Sequence, residues 1–172
     1  MVTYHLPTEP SRHRVAVWRE LRRVGAVSLQ QATWAVPSRP EFMEAVARAI
    51  ELVERADGDV LIFDAVPRGD AMIAELEARY TDEREAEWVE FLAECAKFEH
   101  EIAKEIRIKK FTAAELDEEE QNLDRLRRWF RELRTRDLFG APSQPDAEHR
   151  LKECSERLDD YAQQVFEHGA ST

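Results

Sequence analysis

After Pro67 the apolar residues of this chain recur at alternating steps of three and four, a spacing that fits amphipathic helix and not strand. The first stripe is Trp88, Leu92, Cys95, Phe98, Ile102 and Ile106, and Asp82 with Glu85 reads as a capping box that sets its start at about Asp82. Thr112-Ala113-Ala114-Glu115 opens a second helix, carrying Leu116, Leu123, Leu126, Phe130 and Leu133. A turn at Gly140-Ala141-Pro142 and Pro145 precedes a third stripe of Leu151, Cys154, Leu158, Tyr161 and Val165. No one-sided helix can bury itself, so residues 70–172 are expected to form a three-helix antiparallel bundle. Only the tail from Gly169 is expected to be disordered.

The first 69 residues follow a different rhythm. Tyr4-His5-Leu6 reads as a short strand, and a helix from about Ser11 to Val24 follows, with Val17, Leu21 and Val24 on one face and Gly25 as its C-terminal stop. Val27-Ser28-Leu29 and Thr33-Trp34-Ala35-Val36 read as two strands. Ser38 with Glu41 is a second capping box, opening a helix from about Pro40 to Arg55, and Val60-Leu61-Ile62-Phe63 fits a buried strand. The order strand, helix, strand, strand, helix, strand predicts an α+β class with a ferredoxin-like antiparallel sandwich, accounting for residues 3–66 of a first domain, 1–69.

Composition agrees with this plan. Five Gly and seven Pro in 172 residues leave room for few sharp turns, and 43% hydrophobic residues suffice for a core at this size. No apolar run approaches the ~18 residues of a membrane span and no leader pattern follows Met1, so a cytoplasmic protein is expected. The net charge of −11 is unevenly placed: residues 1–69 hold nine Arg and nine Asp+Glu, whereas residues 70–172 hold 16 basic and 27 acidic residues. A basic patch is therefore compatible with an acidic chain.

That patch is on the first helix. At 100° per residue, Arg12, Arg19 and Arg23 fall within about 40° of one another, opposite Val17 and Leu21, and Arg14 and Arg22 flank them. Guanidinium forks match two oxygens of a phosphate or other oxyanion at once, so these five arginines are the candidate nucleic-acid or oxyanion site. The rival reading pairs them with the acidic helices of the same chain.

The other constellations read as structure. Cys95, Glu99 and His100 share a helix, but Cys95 and Cys154 each fit an apolar stripe as inert core thiols, and His5, His13, His149 and His168 lack ligand spacing. Asp117, Glu118, Glu119 and Glu120 suit the positive end of a helix, and Trp88 and Trp129 fall at core positions, while Trp18 and Trp34 have no obvious place. With no glycine-rich phosphate loop, nucleophile elbow or paired carboxylates, neither an enzyme nor a cofactor or metal is expected.

The stretch Leu6-Pro7-Thr8-Glu9-Pro10-Ser11-Arg12-His13-Arg14-Val15-Ala16-Val17-Trp18-Arg19, continued by Leu21-Arg22-Arg23, Gly25-Ala26-Val27 and Trp34-Ala35-Val36-Pro37, resembles the N-terminal domain of ChrB, the chromate-resistance regulatory protein. Lys110-Phe111-Thr112-Ala113-Ala114-Glu115-Leu116 and Arg136-Asp137-Leu138-Phe139-Gly140-Ala141-Pro142 extend the resemblance through the helical half. Residues 25–36 are more distantly similar to the middle domain of the PaaX repressor and to a small CRISPR-associated nuclease. The nuclease's aspartate at the end of its first strand is missing from Tyr4-His5-Leu6, which argues against that chemistry, and no winged helix precedes the first strand as in PaaX. Full ChrB proteins carry a C-terminal domain that this chain does not reach, so a separate chain of that type is an expected partner. The resemblance implies transcriptional regulation in chromate response, through DNA or the chromate oxyanion at Arg12, Arg14, Arg19, Arg22 and Arg23. The alternative is a protein-interaction module that binds no nucleic acid; a homodimer is expected in either case.

Overall fold

A computed structural model describes residues 1–169, apart from the side chain of Glu41. The elements, in order, are β1 (Val2–His5), α1 (Ser11–Arg23), β2 (Val27–Gln30), β3 (Thr33–Ala35), α2 (Pro40–Glu54), β4 (Asp59–Ile62), α3 (Asp70–Ile108), α4 (Ala113–Arg136) and α5 (Gln144–Gly169). The protein is thus α+β and mostly helical. Gly169 closes α5, and the rest of the tail, 170–172, lies outside the described residues. No helix among the described residues is long and apolar enough to cross a membrane.

The chain divides into two compact units, Met1–Arg79 and Tyr80–Thr172, so the first ten residues of α3 group with the elements before them. In the first unit the four strands form an antiparallel sheet in the order β2-β3-β1-β4. Val2 lies opposite Trp34 on one side and Ile62 on the other, and a register shift between Ser28 and Gln30 interrupts the β2–β3 ladder. α1 packs on α2, and Val17, Leu21, Val46, Ala49 and Val53 join Val2, Val27 and Trp34 in a buried core. The stop at Gly25 is a Schellman turn: at φ 82 its N–H donates to Arg22 O, and the Ala26 N–H donates to Leu21 O. Gly58 is fixed by space instead, since a Cβ there would sit 2.5 Å from His5 O.

Three sequence readings need correction. α2 is capped at Arg39 rather than Ser38, with no side-chain cap, because Pro40 already fills the first helical position; the Glu41 side chain of that expected box lies outside the described residues. β4 is not a buried strand: it pairs only with β1 at the sheet edge and leaves Leu61 60% and Ile62 52% exposed. The long helix starts at Asp70, not Asp82, after Gly69 at φ 79. Its first turns are exposed nearly all round, although Ile73, Leu76 and Tyr80 already recur there at steps of three and four, and Asp82 and Glu85 are interior to the helix.

In the second unit α3, α4 and α5 share one core built on Trp88, Phe91, Phe98, Ile102, Leu123, Phe130, Leu133, Leu158 and Tyr161. Aromatic rings dominate it, with Trp88 edge-on to Phe91 at 5.9 Å and close to Phe130 at 5.2 Å. Thr112 caps α4 as its sequence predicts, its hydroxyl accepting from the Glu115 N–H at 3.3 Å. The α4–α5 loop is clipped to α3 by two carboxylates. Asp137 accepts from the Trp88 indole N–H at 2.9 Å and from the Ala141 N–H, and Glu85 accepts from the Ser143 N–H at 2.9 Å.

Candidate functional site

α1 presents the arginines as their spacing demands, since Val17 and Leu21 are fully buried and all five side chains point outward and are exposed. They are not equivalent. Arg23 forms a two-pronged bond to Glu20, Nε to Oε2 at 3.2 Å and Nη2 to Oε1 at 2.6 Å, and Arg48 of α2 donates to the same carboxylate at 2.9 Å. Hydrogen bonding from Arg23, aided by Arg48, holds the Glu20 carboxyl below its ordinary value of 4.5. Arg14 is turned back onto the β1–α1 loop, where its Nη1 donates to the carbonyl oxygens of Thr8 and Pro7.

Arg12, Arg19 and Arg22 remain for a ligand. Arg12 and Arg19 have no ion-pair or hydrogen-bond partner among the described residues, and the Arg22 guanidinium lies over Trp18 at 5.4 Å from the ring centroid. Trp18 is 44% exposed, and Val15, on the same outward arc, is also exposed. The outward face of α1 is therefore an alternation of three guanidinium groups with an aromatic ring and an aliphatic side chain. Such a face can grip phosphates through the forks and lay its ring against an apolar surface or a base.

The sequence reading caught all five arginines but treated them as one set. It missed Trp18 as a member of the site. The Glu20–Arg23 spacing of three was a visible signal for a local pair, whereas Arg48, 28 residues from Glu20, was not. Trp34 resolves the other way, as a buried core residue of β3.

Elsewhere the chemistry is taken up by packing. Cys95 is fully buried, Glu99 accepts from Arg150 at 3.1 Å and is ion-paired with Arg157 at 3.2 Å, and His100 is exposed. Among the described residues no group of three His, Cys, Asp or Glu side chains is placed to hold a metal ion. The acidic run at the start of α4 is not uniformly a surface feature: Asp117, Glu118 and Glu120 are exposed, but Glu119 is only 2% exposed and burial raises its carboxyl above 4.5.

The family model described as "Protein ChrB, N-terminal" matches residues 14–172. No curated protein and no solved structure matches the chain significantly.

Proposed function

The chain belongs to the ChrB N-terminal family, and from that premise we propose that it is a cytoplasmic, non-enzymatic regulatory protein of the chromate response that binds DNA through α1. The observation that carries this reading is the outward face of α1, where Arg12, Arg19 and Arg22 surround exposed Trp18 and Val15 while Arg14 and Arg23 are engaged locally. The mechanism is equilibrium binding. Phosphate contacts supply affinity through counterion release, and the negative charge of residues 70–172 opposes non-specific association. An oxyanion such as chromate would compete for the same guanidinium groups. The strand order β2-β3-β1-β4, with a helix after β1 and another after β3, supports a ferredoxin-like sandwich, and the shared core of α3, α4 and α5 supports a three-helix antiparallel bundle.

Binding to duplex DNA from the chain's own promoter region tests the reading. Affinity is expected to fall steeply with salt, and Arg12→Ala with Arg19→Ala is expected to lower the salt slope by about two. Arg23→Ala, which removes a guanidinium already spent on Glu20, is expected to change binding far less. Absence of binding at low salt removes the proposal.

A second reading, a dimeric protein-interaction module without nucleic acid, is favoured by the edge strand β4, where Leu61, Ile62 and Phe63 are exposed and Val66 follows. A concentration-dependent dimer disrupted by Leu61→Lys, with no DNA binding, would establish it.

A further inference from the structure

The sequence treats Cys95 and Cys154 as two independent core thiols, but the fold brings them together. They lie 59 residues apart, on α3 and α5, both fully buried in the same core. The Cys154 thiol donates to the Cys95 carbonyl oxygen at 3.8 Å, which seats its sulfur against α3 at Cys95. Beside them Glu99 of α3 is held by Arg150 and Arg157 of α5, so charged pairs fasten these two helices next to the sulfurs. We propose that Cys95 and Cys154 are a disulfide-forming pair, closed by a small neutral oxidant of the peroxide class, which covalently staples α3 to α5.

The chemistry starts at Cys154. Interaction with Cys95 holds the Cys154 thiol below its ordinary value, helped by Arg150 and Arg157 against burial and the Glu99 carboxylate, whereas interaction with Cys154 and burial push the Cys95 thiol up. The Cys154 thiolate attacks one peroxide oxygen, the O–O bond breaks, hydroxide leaves and a sulfenic acid forms. The Cys95 sulfur then attacks that sulfur; the S–O bond breaks, the S–S bond forms, and the departing hydroxide takes the Cys95 proton as water. Two thiols and one hydrogen peroxide thus yield one disulfide and two waters. Closure brings the two sulfurs to about 2.05 Å, and burial restricts access to oxidants near water in size that enter by local opening.

Peptide mapping of the native chain after hydrogen peroxide treatment, without reduction, tests this. The expected result is a cross-linked peptide containing Cys95 and Cys154 of one chain, loss of two hydrogens in intact mass, and reversal by dithiothreitol. A rise in Tm of roughly 5–10 °C should accompany it, because the bond closes a long loop. In Cys95→Ser, which cannot close the bond, dimedone should trap a sulfenic acid at Cys154; if that variant does not fold, the map of the native chain decides alone. The proposal is overturned if both thiols are recovered free, if the chain gains only oxygen, or if the link joins two chains.

Discussion

The two units treat buried charge differently. Among its described residues the first buries no charged residue outright, and it leaves Trp18 on α1 and Leu61 and Ile62 on β4 exposed. The second surrounds its core with aromatic rings and draws charge inward. Arg84 is only 2% exposed and bonds Glu87 at 2.8 Å, while Glu105 lies between Lys104 at 3.3 Å and Lys110 at 3.7 Å. Burying ions is costly and is tolerated only when partners are fixed, as they are for Arg84 and Glu105.

The contrast can be broken most forcefully with tryptophan. Trp88→Ala, at the centre of the second core, is expected to cost about 3–5 kcal/mol by denaturant titration, whereas Trp18→Ala is expected to stay within ~0.5 kcal/mol and to weaken DNA binding instead. Equal costs would show that Trp18 is a packing residue and dissolve the distinction. Next in size are the arginines. Arg84→Met leaves Glu87 without its nearest cation and is expected to cost about 3 kcal/mol. Arg23→Met, which loses a side chain 56% exposed, is expected to cost less than about 1 kcal/mol in the same titration.

The smallest effects are in the pH dependence, and here Glu119 and Glu20 differ in sign. Glu119 has its carboxyl raised, chiefly by burial, so the native state holds that proton more tightly than the unfolded chain does. Its contribution is most favourable below the ordinary value of 4.5 and declines as pH rises toward the raised native value. Glu119→Gln is therefore expected to stabilise the chain at neutral pH and to flatten that decline. Glu20 has its carboxyl lowered, first by the Arg23 hydrogen bond, so its contribution is present above 4.5 and is lost as pH falls through the lowered native value. Glu20→Gln should remove that acid-side loss and cost about 1 kcal/mol at neutral pH. Thermal melts across the acid range distinguish the pair, and melts in which both substitutions shift stability in the same direction would show that the buried and surface carboxylates are not differently placed.

Most elements could be read directly from the sequence because their signals are local. Val17, Leu21 and Val24 identify α1, Gly25 stops it, and Thr112 caps α4, each within a few residues of its partner. The misreadings arose where the deciding neighbour was remote or absent. The apolar run Val60 to Phe63 is the same whether a strand is central or at an edge, and only its pairing with β1 alone decides that its side chains are exposed. Glu85 looked like a cap because Asp82 preceded it by three residues, yet its carboxylate accepts from Ser143, 58 positions away. Of the candidate site, the residue identities were legible and their availability was not.

By itself the sequence determined the periods of its apolar residues, hence most of the helices and strands, and it determined that the arginines share one helical face. Those follow from bond geometry that repeats every few residues. The tertiary structure alone decided that Arg48 joins Arg23 on Glu20, that Arg14 turns back to Thr8, that Arg12 and Arg19 are left without a partner among the described residues, and that Cys95 meets Cys154. Arg48 and Cys154 come from other helices and Arg14 reaches a carbonyl in the preceding loop. Hydrogen bonding acts over about 3 Å of space whatever the separation along the chain, so no local pattern of residue types records which partner each side chain finds.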